Sequence, residues 1–294
     1  MAEPLRILLL GANGRLGRAL HRLYVHSDLS VTAWGRSQLD LTLPGQISAA
    51  LDSTPFDLLI NAAGLTNVDA CEVQRQDATL SNAVAPGLLA EYCAQHGRRF
   101  IHISSDYVFS GTGTTLLRET DPTGPRNHYG QTKLDGEIAA LTAHPATLVV
   151  RVSWLFGPDK PSFPDMILRT AREQDHVAAV NDKWSSPSYS DDLAHWLLTL
   201  IRHHPQQSGL LHLCNEGAPT WQEYGQATLD IATRLGLPLK AHTVTGHTMH
   251  GFEPFKATRP PHTALDTSKF QALTGIKPRP WQDALEAYLR SLSQ

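Results

Sequence analysis

Tyr129 and Lys133 stand four residues apart in Tyr-Gly-Gln-Thr-Lys, so on a helix both side chains share one face. An ammonium beside a phenol stabilises the phenolate and lowers the tyrosine pKa from its usual value of about 10. Such a tyrosine can exchange a proton with a carbonyl or an alcohol near neutral pH. Upstream, Ser105 stands in Ser104-Ser105-Asp106-Tyr107-Val108-Phe109, directly after an apolar run. A hydroxyl at the carboxyl end of a strand can hold the same oxygen. Alone, a Tyr-x-x-x-Lys spacing is usually a surface pair. Here it follows Gly11-Ala-Asn13-Gly14-Arg15-Leu16-Gly17, itself set between a strand-like run and a helical pattern. Gly11 permits a tight turn, Gly14 lets a pyrophosphate approach the backbone, and Gly17 allows close helix–strand packing. The helix N-terminus favours the phosphate charge. A dinucleotide turn followed by Ser, Tyr and Lys in this order points to an oxidoreductase.

The second strand of such a fold ends near the adenosine ribose, where NAD-preferring sites usually carry an acidic residue. This chain has Trp34-Gly35-Arg36-Ser37. Arg36 can pair with a 2′-phosphate and Ser37 can hydrogen-bond it, whereas a carboxylate would repel it. NADPH is the expected cofactor, with NADH possible.

The elements that must position these groups are legible as apolar runs and helical periodicity. Strands are expected at residues 6–10, 30–34, 58–61, 100–104 and 147–152. Helices are expected at 15–26, 44–51, 77–95 and 129–141. Alternation of the two implies an α/β fold with a doubly wound parallel sheet of the Rossmann type. Beyond Ser153 the pattern loosens, with helices expected at 165–172, 191–203, 221–235 and 281–292 and a strand at 210–213. The reading is a dinucleotide-binding domain over residues 1–153 and a smaller C-terminal α/β substrate-binding lobe over 154–294, whose chain can cross back to the sheet. A formal charge of −3 gives no electrostatic case for nucleic acid or an anionic membrane. Residues 1–6 lack a signal-peptide pattern, the run Ile7–Leu10 is too short for a signal core, and no 18-residue apolar stretch follows. Cys71, Cys93 and Cys214 are widely spaced and form no Cys-x-x-Cys pair, so buried free thiols in a reducing compartment are expected. The expected location is the cytoplasm.

At the level of motifs, the chain resembles the dTDP-4-dehydrorhamnose reductase family, short-chain dehydrogenases of the extended type. The resemblance runs over essentially the whole length. It includes Gly11 to Gly17, Asn61-Ala62-Ala63, Val68-Asp69-Ala70-Cys71-Glu72, Asn82, Ser105 to Phe109, Glu119-Thr120-Asp121 and Tyr129 to Lys133. It continues with Arg151-Val-Ser153-Trp154, Asn181-Asp182, Thr220-Trp221, Arg259-Pro260 and Pro280-Trp281. The resemblance implies that NAD(P)H gives hydride to C4 of dTDP-4-dehydro-L-rhamnose, yielding dTDP-L-rhamnose. Ser105 would orient the C4 oxygen, Tyr129 would donate its proton, and Lys133 would hold the nicotinamide ribose and tune Tyr129. Thr66, Val68, Asp106, Tyr107 and Trp154 would line the sugar site. Ala62, Ala63 and Gly64 would touch the cofactor, as would Asp40 and Leu41 near the adenine, beside Asn13, Arg15 and Leu16 of the glycine turn. A homodimer is a further implication. The chain departs from the family in three places. Ser105 stands where threonine is frequent, Ser162-Phe163 stands where the family often has Asn-Phe near the nucleotide-sugar site, and Asp182-Lys183-Trp184-Ser185-Ser186-Pro187-Ser188 replaces a segment that usually carries Gln and Gly. The regulatory β subunit of methionine adenosyltransferase is similar to the same family and shares the stretches at 104–109 and 132–137. An NADP-binding regulatory subunit is therefore the alternative function.

Other features carry no chemistry in this reading. His242, His247 and His250 lie in an expected loop without the spacing of a zinc motif, so no metal is expected. His203-His204 ends a helix, where positive charge suits the dipole. Trp184, Trp221 and Trp281 read as core anchors, and Cys71 has no base partner in the sequence.

Overall fold

A computed structural model describes residues 3–251 and 255–292. β1 (Arg6–Leu10) has four of its five residues buried, as a parallel strand covered on both faces requires. It feeds the glycine turn and α1 (Arg15–Tyr24), which stops two residues before the expected end. β2 (Ser30–Trp34), α2 (Ile47–Asp52) and β3 (Leu58–Asn61) follow. Then come α3 (Val68–Val73), α4 (Arg75–Thr79) and α5 (Ala85–Gln95). Leu80–Val84 joins α4 to α5 as a π-helical segment. The helix expected over 77–95 is thus broadened at its centre, a form common near functional sites. β4 (Arg99–Ser105), α6 (His128–Ala143) and β5 (Leu148–Val152) complete this half.

The second half runs β6 (Leu155–Phe156), α7 (Phe163–Glu173), β7 (Val177–Val180), β8 (Ser188–Tyr189) and α8 (Ser190–His203). It continues with β9 (Gly209–Leu213), α9 (Trp221–Arg234), β10 (Val244–His247), α10 (Ser268–Thr274) and α11 (Trp281–Ser291). α9 opens on a reciprocal cap: the Glu223 amide donates to Thr220, and the Thr220 amide to the Glu223 carboxylate.

The main sheet is parallel throughout, in the order β2-β1-β3-β4-β5-β9. From β1 the chain moves outward to β2 and then returns to the other side for β3, so a switch point lies between β1 and β3. Alternate residues of β1 serve opposite faces. Ile7 and Leu9 pack with Leu20, Leu197 and Leu200, while Leu8 and Leu10 pack with Leu89, Cys93 and Ala140. β9 brings the chain back to the sheet edge, pairing Val150 with Leu211. α8 and α10 also pack on the sheet, while α7, α9 and α11 gather round an aromatic cluster that includes Phe156, Tyr224, Trp281 and Tyr288.

Two small parallel pairs, β7–β10 and β6–β8, were not expected from the sequence. Strands of two to four residues have too little periodicity to read. One consequence is that His247 closes a strand rather than lying in a loop, with His242 just ahead of it and His250 in a 3₁₀ turn, all three exposed. Another correction concerns Trp184, which is 37% exposed while Trp281 is buried. Trp184 is held by its backbone, which bonds Pro261 and Thr263. Among the described residues no helix is long and apolar enough to cross a membrane.

Candidate active site

The glycine turn has the conformation its residues dictate. Gly11 has φ +80°, and a Cβ there would lie 2.6 Å from the Ala62 carbonyl, so only glycine fits. A Cβ on Gly17 would lie 2.1 Å from the Gly11 oxygen, which makes Gly17 a packing residue that holds α1 against the turn. A single cavity of about 890 Å³ opens at this turn. Its lining follows the carboxyl ends of the strands in sheet order: Arg36, Asp40 and Leu41 after β2, Gly11, Asn13, Gly14, Arg15 and Leu16 after β1, and Ala62, Ala63 and Gly64 after β3. Thr66 and Val68 continue that wall, Ser105, Asp106 and Tyr107 follow from β4, and Trp154 from beyond β5. Tyr129 and Lys133 reach it from α6. Ser37 is not on the wall; its hydroxyl donates to Gln38. The Arg36 side chain is 74% exposed and donates to Asp40 across 3.0 Å. Arg15 is on the wall, yet its guanidinium donates to the carbonyls of Leu155, Lys160 and Pro161, tying α1 to the second half.

Three anchors fix the catalytic end. Asn127 caps α6 by accepting from the Gly130 amide at 2.8 Å and donates to the Thr258 carbonyl. Gly130 itself allows the Tyr107 carbonyl to come within 2.2 Å of where a Cβ would be. Glu137, two turns further on, accepts from Arg151 Nε and Nη2 at 2.9 and 2.6 Å and from the Ser104 hydroxyl, so α6 is bolted to β4 and β5. The pair is 2% exposed on each side, and bidentate geometry compensates its desolvation. From the π-helical segment, Asn82 donates to the Leu65 carbonyl and accepts from the Leu65 amide, both at 2.9 Å, which fixes the wall after β3.

Tyr129 is buried edge-on to Tyr107, with the ring centres 5.6 Å apart. Burial pushes its pKa up, and the Ser105 hydroxyl, within hydrogen-bond reach, draws it part of the way back. The expectation that Lys133 lowers this pKa is not met. The Lys133 ammonium donates instead to the Ile103 carbonyl at 2.6 Å and lies 3.5 Å from His102, and it does not act on the phenol. Burial lowers Lys133 itself to about 8. The spacing of four residues puts both groups on one wall, but a tyrosine and a lysine on one helical face need not point at each other. Asp106 is buried and accepts from Ser105 at 3.0 Å and Ser153 at 2.8 Å.

Some wall residues were given no site role by the sequence. Arg259 and Lys160 line the cavity from the second half, and so does Trp221, expected as a core anchor. Arg259 donates to Asp69 at 2.7 Å and lies over the Phe255 ring. Trp154 has φ +41°, a strained value for a tryptophan. Its ring packs on Phe163, Trp221 and Tyr224. The pairs Thr220-Trp221 and Arg259-Pro260 were visible as motifs, but their meeting with the wall after β3 is a long-range contact. The three cysteines are free and buried, and burial raises Cys71 to about 11. That leaves it a thiol and a poor nucleophile.

A parallel sheet with a glycine turn at its switch point, and a Ser, Tyr and Lys set on one cavity wall, define an oxidoreductase of the extended short-chain dehydrogenase class. Comparison with known proteins narrows this. The family model described as RmlD substrate binding domain matches residues 5–294. A Streptomyces antibioticus protein named "Probable dTDP-4,6-dihydroxy-2-methyloxan-3-one 4-ketoreductase" is 36% identical over 96% of this chain and 93% of its own. A dTDP-4-dehydrorhamnose reductase of Aggregatibacter actinomycetemcomitans is 33% identical over 96% of this chain and 97% of its own. The crystal structure of dTDP-4-dehydrorhamnose reductase from Bacillus anthracis in complex with NADP superposes with a TM-score of 0.91 at 26% identity, covering 98% of this chain and 99% of that one. The chain belongs to the dTDP-4-dehydrorhamnose reductase family. It is an NAD(P)H-dependent oxidoreductase. The regulatory-subunit alternative finds no support in these relatives.

Proposed function

We propose that the protein reduces the 4-keto group of a nucleotide-linked deoxysugar, dTDP-4-dehydro-L-rhamnose, to give dTDP-L-rhamnose. The observation that carries this reading is the meeting of Ser105, Tyr129 and Lys133 on the cavity that begins at the glycine turn. The cavity suits a dinucleotide. Gly11 has the positive φ the turn needs, and the backbone of Asn13 to Leu16 at the start of α1 borders the open space where a pyrophosphate would lie. Bound NADPH would supply the hydride for the carbonyl carbon. The negative charge that develops on the oxygen needs a donor in reach. Tyr129, kept protonated by burial, would give its phenolic proton to that oxygen. Ser105 would fix the oxygen's direction, and Lys133 would hold the nicotinamide ribose. Thr66, Val68, Asp106, Tyr107 and Trp154 would surround the sugar. Arg36 would meet a 2′-phosphate, although it is already engaged with Asp40.

A homodimer and a cytoplasmic location belong to the same reading and rest on the family resemblance and the sequence. The test of function is NADPH consumption by purified protein against a panel of 4-keto sugar nucleotides, with the product identified. The reading expects turnover with dTDP-4-dehydro-L-rhamnose and reduction of its 4-keto group to an alcohol. Absence of NADPH oxidation across the panel overturns it.

A further inference from the structure

Lys183 is 1% exposed and has no part in the chemistry described so far. It lies between β7 and β8, in the stretch where this chain departs from its family's usual Gln and Gly. Its ammonium donates to the Pro260 carbonyl at 2.7 Å and to the Thr263 hydroxyl at 3.3 Å, and lies 5.3 Å over the Tyr107 ring. Thr263 in turn hydrogen-bonds Asp106, and the charges of Lys183 and Asp106 act on each other directly. Asp106 also accepts from Ser105 and Ser153. An ionised carboxylate is acceptor-only, so all three hydroxyls can point their protons at it. The Ser105 oxygen is then left with lone pairs for the Tyr107 amide, at 3.2 Å, and for the neighbouring Tyr129 phenol.

We propose that Lys183 is a positioning residue for proton delivery: its buried ammonium balances the Asp106 carboxylate, and that carboxylate sets the direction of the Ser105 hydroxyl beside Tyr129. Burying a carboxylate without a countercharge costs enough that the group takes up a proton instead. A protonated Asp106 becomes a donor, at least one of the three hydroxyls must reverse, and Ser105 loses its fixed direction. Burial does raise the Asp106 pKa, while Lys183 and the hydroxyls oppose the rise. The remaining groups that face the pair are Tyr107, Tyr129 and Cys214 around Asp106, and Arg259 and His262 around Lys183. Tyr129 and Cys214 are held neutral by burial, and Arg259, the other cation here, is paired with Asp69, so among these groups Lys183 is the charge that balances Asp106.

The proposal rests on the reductase reading above, and its test separates the two. Lys183→Gln removes the charge and retains a side-chain N–H donor. Turnover with NADPH and the 4-keto sugar is measured from pH 5.5 to 8.5, beside NADPH affinity and the melting temperature. Wild type should hold its turnover down to pH 6. The variant should lose turnover several-fold between pH 8 and pH 6 as its Asp106 takes up a proton, with NADPH affinity unchanged. Adding Asp106→Asn to Lys183→Gln should remove the new acid limb, because the amide cannot titrate. A Lys183→Gln enzyme with a uniformly scaled, wild-type-shaped pH profile has lost packing alone and overturns the proposal. Isotope-edited infrared titration of the Asp106 carboxyl in the wild type, assigned with Asp106→Asn, decides the matter where Lys183→Gln does not fold or where no sugar is turned over. A carboxylate at pH 7 supports the proposal and a neutral acid overturns it, whereas failure of turnover in wild type overturns only the reductase reading.

Discussion

At the scale of single residues, Tyr129 faces the cavity as a protonated phenol because burial opposes its ionisation. That is the state a proton donor needs before the reaction, and a lowered pKa is not required until charge develops on the substrate oxygen. Tyr129→Phe removes the hydroxyl and leaves the edge-on contact with Tyr107. Turnover should fall by ~10²- to 10⁴-fold with NADPH affinity retained, since general acid catalysis contributes that range. Single-turnover rates at saturating NADPH check this, and a variant that keeps most of the wild-type rate would assign the proton to another group. Arg36 offers a second test. Its side chain is 74% exposed and shares its charge with Asp40, so its contribution to a 2′-phosphate is that of a surface pair. Arg36→Ala should weaken NADPH several-fold and NADH hardly at all, by fluorescence titration; equal losses for the two cofactors would remove Arg36 from the phosphate site.

At the scale of elements, the helix that carries Tyr129 and Lys133 is placed by glycine contacts more than by long side chains. Gly136 on α6 meets the backbone of the π-helical segment, where a Cβ would lie 2.1 Å from the Asn82 oxygen. Asn82 is the residue that holds Leu65 by two bonds. Gly136→Ala should therefore force α6 and the segment apart, cost ~1–3 kcal/mol as overpacking does, and loosen the wall after β3. Gly45→Ala, which meets nothing within 4 Å, is the matched control. A lower urea midpoint together with weaker NADPH binding is expected for Gly136→Ala, and wild-type values for both would mean that the two helices part without strain. These contacts also show what was legible in the sequence. The strands Arg6–Leu10, Ser30–Trp34 and Leu58–Asn61 and the glycine turn could be read because each is local, an apolar run or a fixed spacing. The positions of Tyr129, Lys133 and Ser105 on one wall followed from their places after strand and turn. The engagement of Lys133 with Ile103, of Arg15 with Leu155 and Pro161, and of Lys183 with Thr263 could not be read, since each joins residues far apart in the chain. The broadening at Leu80–Val84 was hidden for another reason: apolar spacing does not distinguish a π-turn inside a longer helix.

At the scale of the whole molecule, the central sheet buries two histidines that it keeps uncharged. His102 in β4 is fully buried between Asn61 and Lys133, and burial together with the lysine's charge holds its pKa well below the histidine range. His212 in β9 is equally buried, donates to the Leu117 carbonyl across 3.1 Å, and is pushed down to about 3 by burial and the nearby Arg151. Unfolded, each would bind a proton as pH falls below about 6.5. Folded, neither does until far lower pH, so the unfolded chain holds more protons and is favoured as acid is added. The stabilisation from these two groups is complete above pH 6.5 and is lost progressively as pH falls from there towards their folded pKa values. Between pH 7.5 and pH 5.5 the two together should cost ~2–3 kcal/mol of stability, since one pH unit below the unfolded pKa is worth about 1.4 kcal/mol per group. The measurement is the urea midpoint at the two pH values. His212→Gln keeps a donor for the Leu117 carbonyl and cannot titrate, so it should lose about half of the difference while remaining folded at pH 7.5. A His212→Gln protein as acid-sensitive as wild type would place the proton uptake elsewhere, and the same substitution at His102 would then distinguish β4 from the carboxylates of the surface.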